Sequence, residues 1–248
     1  MFTVDRRDEV RTLLLARARA DAQIAGAAIT GSAASGGEDR WSDIDLFFGV
    51  AGEAAVADVL GTWSDFVYRE LDALHHFDLH AGGATYRAFL LADGLEVDLA
   101  FTPAMGFGPL GTGGFRVVFG EAAERPAAAP GDPGHLIGLA WHHVLHARIA
   151  IERGAAWQAE YWISGVRDHV IALACRRLGL PAMYAKGVDA LPEAITGPLE
   201  DALVRGLDRP ELLRALKAAT SELIRELKAN DQRLAGTLGR ALVEIAAR

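Results

Sequence analysis

Two aspartates, Asp43 and Asp45, open the apolar run DIDLFFGV. In a strand, side chains at i and i+2 point to one face, so these carboxylates project together while Ile44 and Leu46 turn into a core. Adjacent carboxylates repel and raise one another's pKa, and a divalent cation with hard oxygen ligands relieves the repulsion. A second run, LEVDLAF, repeats the pattern, with Glu96 and Asp98 opposite Leu95, Val97 and Leu99. If that run is a neighbouring strand, Asp98 joins the pair. Three carboxylates can hold two cations about 4 Å apart, which clamp the attacking and leaving oxygens of a phosphoryl displacement. Mg²⁺ is the expected ion, two of them to a site.

Upstream of the aspartates, the run IAGAAIT ends at Gly31-Ser32. A strand that runs into glycine lets backbone approach a phosphate, whose oxygens then accept bonds from exposed N–H groups and the Ser32 hydroxyl. Ser42, just before Asp43, is placed to cap or orient the turn.

These residues need a sheet to hold them. A charged amphipathic segment near Val4 to Ala22 precedes IAGAAIT, and helix is expected from about Glu53 to Leu74. Strands follow at HHFDLHA, TYRAFLL and LEVDLAF, with a tight turn at residues 92–94, and a sixth at FRVVFG. In ERPAAAPGDPG, residues 124–134, three prolines and two glycines interrupt every apolar period, so this stretch reads as a linker. Beyond it nearly everything is helical: LIGLAWHHVLHARIAIER, then AAWQAEYWISGVRDHVIALACRRLG closed by Gly179 and Pro181, then two or more amphipathic segments.

Composition narrows the partners. Of the formal charge of −8, residues 1–125 hold 10 Lys+Arg against 19 Asp+Glu. Nucleic-acid binding draws on the opposite, a basic stripe, so no nucleic acid is expected as partner. The N-terminus is charged within five residues and no apolar run approaches the length of a membrane span, so neither a secretory leader nor a membrane anchor is expected and the cytoplasm is the expected location. The single cysteine, Cys175, lies in an apolar run and agrees with a reducing compartment. Oligomeric state is not legible.

Taken in order, Gly31-Ser32, SDIDL and a separate strand carrying Val97-Asp98-Leu99 resemble the signature of the polymerase-beta-type nucleotidyltransferase superfamily, over residues 24 to 103. The resemblance implies an α+β chain: a mixed nucleotidyltransferase sheet with flanking helices, residues 1–123, then the linker, then an α-helical acceptor-binding domain, residues 135–248. It implies Asp43, Asp45 and Asp98 as catalytic metal ligands, with Gly31 and Ser32 on the phosphates of a nucleoside triphosphate. The helical part is similar to small nucleotidyltransferases that modify aminoglycosides or lincosamides, passing AMP from ATP to a hydroxyl and releasing pyrophosphate. That likeness implies a small hydroxyl-bearing acceptor, antibiotic resistance as one use, and Lys186 on the outer phosphates. An acceptor that is a protein or a tRNA end stays open, and so does a silent member that only binds nucleotide.

A hydroxyl that attacks must lose its proton, and Asp98 is the first candidate base, with Glu160 and Asp168 behind it. Glu160, Tyr161 and Asp168 are the acceptor-binding candidates, although Arg167 offers an ordinary ion pair and the aromatics Trp157, Tyr161 and Trp162 read first as helix core. His142 and His146 have the spacing by which two imidazoles share a metal, but residue 143 is histidine and no third ligand suggests itself. His75, His76 and His80 would split between two faces of a strand, in structural or acceptor-lining roles.

Overall fold

The structure, a computed structural model, describes residues 1–52, 54–109, 114–125 and 132–247. The chain divides into two compact units, Met1–Ala129 and Pro130–Arg248. Residues 124–134 straddle that division, and 126–131 of them lie outside the described residues.

The first unit opens with α1 (Val4–Ala20), whose N-cap Thr3 accepts a hydrogen bond from the Arg6 amide and which buries Val10, Leu14 and Ala18 at i, i+4 and i+8. Strand β1 (Ile24–Thr30), a five-residue helix α2 (Gly31–Ser35) and β2 (Ile44–Val50) follow. Helix α3 (Val56–Glu70) stops short of the expected Leu74: Asp72 turns the chain with a positive φ of 56°, and Leu74 already belongs to β3 (Ala73–Ala81). Glu53, the expected start of that helix, lies outside the described residues. Strands β4 (Ala84–Leu91), β5 (Glu96–Pro103) and β6 (Phe115–Phe119) complete a mixed sheet in the order β3-β4-β5-β2-β1-β6. Only β2 and β5 pair in parallel; every other neighbouring pair is antiparallel.

Alternation along the central strands decides which side chains meet the helices. Ile44, Leu46 and Phe48 of β2, with Val97, Leu99 and Phe101 of β5, pack with Leu14, Val59, Trp63 and Val67 into the main core. Trp63 is fully buried against Phe48 and Phe101, its indole N–H donating to Asp21. The residues between them, Asp45, Phe47, Asp98 and Ala100, therefore face the other side, where Ala28, Phe47, Ala84, Ala100 and Phe107 form only a small cluster. The carboxylate-bearing face of the sheet is the one that α1 and α3 leave open.

The second unit is helical: α4 (Pro133–Glu152), α5 (Ala156–Arg177), α6 (Glu193–Glu200), α7 (Arg209–Asn230) and α8 (Gln232–Ala247). Pro133 starts α4 behind the N-cap Asp132, and Asp208 caps α7 in the same way ahead of Pro210. Val144, Ala147, Ile163, Val166, Leu216, Leu223 and Leu242 fill its core. Cys175 is buried beside Leu191 in a satellite cluster. Among the described residues no helix is long and apolar enough to cross a membrane.

Candidate active site

Parallel pairing of β2 with β5 sets Asp45 directly opposite Asp98. Asp43 stands one residue before β2 begins, so the pleat keeps it on the side of Asp45. One carboxylate oxygen from each of Asp43, Asp45 and Asp98 lies within 4.8 Å of the other two, and all three residues are half-buried. Among the described residues this is the one group of three potential ligands so gathered.

Charge accumulates there. Burial, then the charges of Glu96, Asp45 and Asp43, push the Asp98 carboxyl up from 3.8 to about 7. Its Oδ1 is buried and makes no hydrogen bond among the described residues. Buried polar atoms are ordinarily paired, so an unpaired oxygen on a member of this carboxylate group fits a cation ligand. The donor set, oxygens only, suits a hard divalent ion such as Mg²⁺.

Gly31 stands at the end of β1 with φ +62°, and a Cβ there would lie 1.9 Å from Oδ2 of Asp45. No side chain fits at this position, so Gly31 meets the Asp45 carboxylate as bare backbone. Ser32, half-buried, begins the short turn of α2, whose carbonyls at Gly31 and Ser32 accept from the Ser35 hydroxyl. The Ser42 hydroxyl is engaged locally: it accepts from the Asp39 amide and donates to the Asp39 carboxylate, whose pKa is held down by hydrogen bonds from Trp41 and Ser42. Ser42 thus braces the turn into Asp43 through an Asx-type motif.

That loop is pinned from a distance, which local sequence did not reveal. Arg7, almost fully buried, donates to the Asp39 carbonyl and, at 3.3 Å, to the Ser42 carbonyl, and it lies 3.4 Å from Glu38. Arg11, one turn on, also pairs with Glu38. Two guanidiniums of α1 therefore fix the approach to Asp43. Tyr86 was missed as well. It sits on the carboxylate face opposite Ala100, and burial raises its hydroxyl pKa, with Arg125 opposing and Asp45 adding to the rise. Trp41, two residues before Asp43, is 62% exposed and carries the Arg40 guanidinium 3.9 Å from its ring centroid.

The remaining candidates belong to the second unit. Lys186 is exposed, after a short turn in which Tyr184 and Ala185 both take positive φ. Glu160 accepts a bond from the Ser164 hydroxyl at 2.7 Å, and Asp168 pairs with Arg167 at 3.3 Å. The expectation that the α5 aromatics are core fails for two of three: Trp157 is 76% and Tyr161 64% exposed and neither joins the core of the helical unit among the described residues, while Trp162 is half-buried against it. Trp162 stands instead among imidazoles, 4.8 Å from His143 and 5.2 Å from His146 between ring centroids. His142 lies 4.2 Å from His146 and His143 4.7 Å from His169 between ring centroids, each pair tilted by 45–48°. Burial lowers the pKa of both His143 and His169. On β3, His76 meets the Tyr68 hydroxyl at 2.8 Å and His75 points to the opposite face.

No family model matches the chain, and no curated protein matches it. Among solved structures, the chain is similar to an aminoglycoside 6-adenyltransferase from Bacillus subtilis, with 11% identity and a TM-score of 0.43, over 98% of this chain and 99% of that one.

Proposed function

We propose that the chain is a nucleotidyltransferase that transfers a nucleoside monophosphate, AMP from ATP, to a hydroxyl of a small molecule. The observation that carries this reading is the triad: three aspartate oxygens within 4.8 Å on the open face of a mixed sheet, beside a glycine that no side chain can replace. Asp43, Asp45 and Asp98 would hold Mg²⁺, which when bound offsets the charge of the triphosphate and of the departing pyrophosphate. Three acids gathered so closely are costly, and catalysis is the ordinary reason to retain them.

The chain's own residues have distinct tasks in this reading. Gly31 lets backbone come close to the phosphates, and the Ser32 hydroxyl donates to a phosphate oxygen. Asp98 takes the proton of the acceptor hydroxyl as the new O–P bond forms at the α-phosphorus and the bond to the β-phosphate oxygen breaks. Arg7 and Arg11 act through the loop, as positioning residues, by fixing the entry to Asp43. We assign the helical unit to the acceptor, with Glu160, Tyr161 and Asp168 as contacts and Lys186 on the outer phosphates. A cationic acceptor such as an aminoglycoside, or a lincosamide, suits the acidic first half of the chain.

The test is mass spectrometry of aminoglycosides, lincosamides and polyol metabolites incubated with ATP, Mg²⁺ and either wild-type protein or Asp43→Asn. An AMP-sized mass gain on one compound, absent with the variant, is the expected result. If nothing gains mass while calorimetry still detects Mg²⁺-dependent ATP binding, the small-molecule acceptor is wrong; if ATP does not bind, the nucleotide site is wrong.

A further inference from the structure

Strand β3 closes one end of the sheet, and its outer edge pairs with no strand among the described residues. It is long for an edge, nine residues, and its apolar side chains are turned out: Leu74 is 64%, Phe77 52% and Leu79 54% exposed. Natural edges are usually blunted by lysine, proline or a bulge, since unpaired N–H and C=O groups template pairing with another chain. ALHHFDLHA contains neither lysine nor proline, and its pairing with β4 is irregular only at the start, between Ala73 and His75.

The sequence of this edge is complementary to itself. When two copies of β3 run antiparallel about a two-fold axis at Phe77, Phe77 meets Phe77, His76 meets Asp78 of the second copy, His75 meets Leu79, Leu74 meets His80 and Ala73 meets Ala81. The axis sets imidazole against carboxylate twice, with an aromatic pair between them, and aromatic pairs are among the cross-strand contacts that stabilise an antiparallel ladder. Moving the axis to Asp78 would oppose two carboxylates, so the charge pattern favours Phe77 over Asp78 as the axis. Both side chains are fixed in place on the edge: Nδ1 of His76 meets the Tyr68 hydroxyl at 2.8 Å, and the two oxygens of Asp78 accept from Arg87 at 2.6 and 2.7 Å.

We propose that β3 is the interface of a symmetric homodimer, in which two copies of the chain join their sheets edge to edge about Phe77. Such an isologous contact closes on itself, covers the apolar edge and leaves no further edge at that end to propagate. It also bears on the carboxylate face. Phe77, Ala88, Asp98 and Asp45 are successive cross-strand partners on that face, so with strands spaced by about 4.8 Å the axis, half a spacing beyond Phe77, lies roughly 12 Å from Asp98.

Sedimentation of the wild-type chain and of Phe77→Lys tests the proposal. The wild type is expected at twice the mass of one chain, and Phe77→Lys, which opposes two ammonium groups on the axis, at the mass of one. Phe77→Cys should cross-link to a covalent dimer under mild oxidation, because its two thiols face each other and the native Cys175 is buried. Should Phe77→Lys fail to fold by circular dichroism, Leu79→Lys, opposite His75 of the second copy, replaces it. A wild-type chain that sediments alone at micromolar concentration overturns the proposal and leaves the edge to a different partner or to solvent. A dimer that survives either lysine variant, or that does not cross-link through Phe77→Cys, overturns it too.

Discussion

Replacing Asp98 with asparagine should destroy the proposed transfer and yet make the metal-free protein more stable above neutral pH. The carboxyl titrates at about 7 in the folded chain, against an ordinary 3.8, because burial and the charges of Glu96, Asp45 and Asp43 all disfavour its ionised form. A raised folded-state pKa contributes stability that is fully present below 3.8 and is lost as pH rises through about 7. At about 1.36 kcal/mol per pH unit the loss has a ceiling of roughly 4 kcal/mol, and since Asp98 is only half-buried, solvent screening reduces it to roughly 2 kcal/mol. Asp98→Asn has no such titration. In EDTA the variant should match the wild type near pH 4 and exceed it by about 2 kcal/mol at pH 8, a shift of about 1 M in urea midpoint.

Hydrogen exchange of peptides spanning residues 44–50 and 96–103 along a urea series reports on this unit alone, since both strands belong to the first unit. Adding Mg²⁺ should reverse the order at pH 8: a ligand that binds only the folded chain stabilises it by mass action, and the wild type keeps all three ligands while the variant does not. The reasoning is refuted if Asp98→Asn is no more stable than wild type at pH 8 in EDTA. It is refuted equally if Mg²⁺ raises both midpoints by the same amount, because the cation would then bind elsewhere.

Three further outcomes follow from the same geometry. Gly31→Ala must resolve both a positive φ and a Cβ 1.9 Å from Asp45 Oδ2, so it should cost on the order of 1–3 kcal/mol and weaken ATP binding in calorimetry at least roughly tenfold; wild-type binding would show that the turn is not at the nucleotide. Arg7→Met should speed hydrogen exchange in residues 36–43 and lower kcat more than it raises KM for ATP, while Arg11→Met, which leaves the Arg7 bonds to Asp39 and Ser42 in place, should do so less. Lys186→Met should raise KM for ATP with the folded helical unit unchanged by circular dichroism; an unchanged KM removes Lys186 from the phosphates.

What the sequence made legible was whatever depends on alternation and order. The burial of Ile44, Leu46 and Phe48 dictates where Asp45 must point, and the same parity in β5 delivers Asp98, so the triad follows from two short runs once they become neighbours. Their direct opposition, Asp45 against Asp98, needed the parallel register, which no local pattern encodes. Arg7 is the clearest case of what escaped: inside α1 it is one of several arginines, and its value comes from carbonyls more than thirty residues away. The end of α3 is hidden for a different reason. Apolar residues continue through Leu71 to Leu74, and the break is made by backbone at Asp72, which can adopt positive φ without a glycine to announce it.

The two faces of the first unit's sheet show how stability and the proposed chemistry are divided. One face gives its alternate positions to Leu46, Phe48, Leu99 and Phe101, packed on the buried Trp63 of α3, a core large enough to hold β2 and β5 in register. The other face carries three acids in mutual repulsion, an unpaired buried oxygen and a glycine in a left-handed conformation, none of which helps the chain fold. Asp45 and Asp98 stay together because they alternate with residues that cannot leave the core, so the strands cannot part to relieve the charge without exposing Leu46 and Leu99. This coupling is why charge removal at Asp98 should be read out as stability, and why the gain should disappear when a bound cation offsets the charge of the three acids.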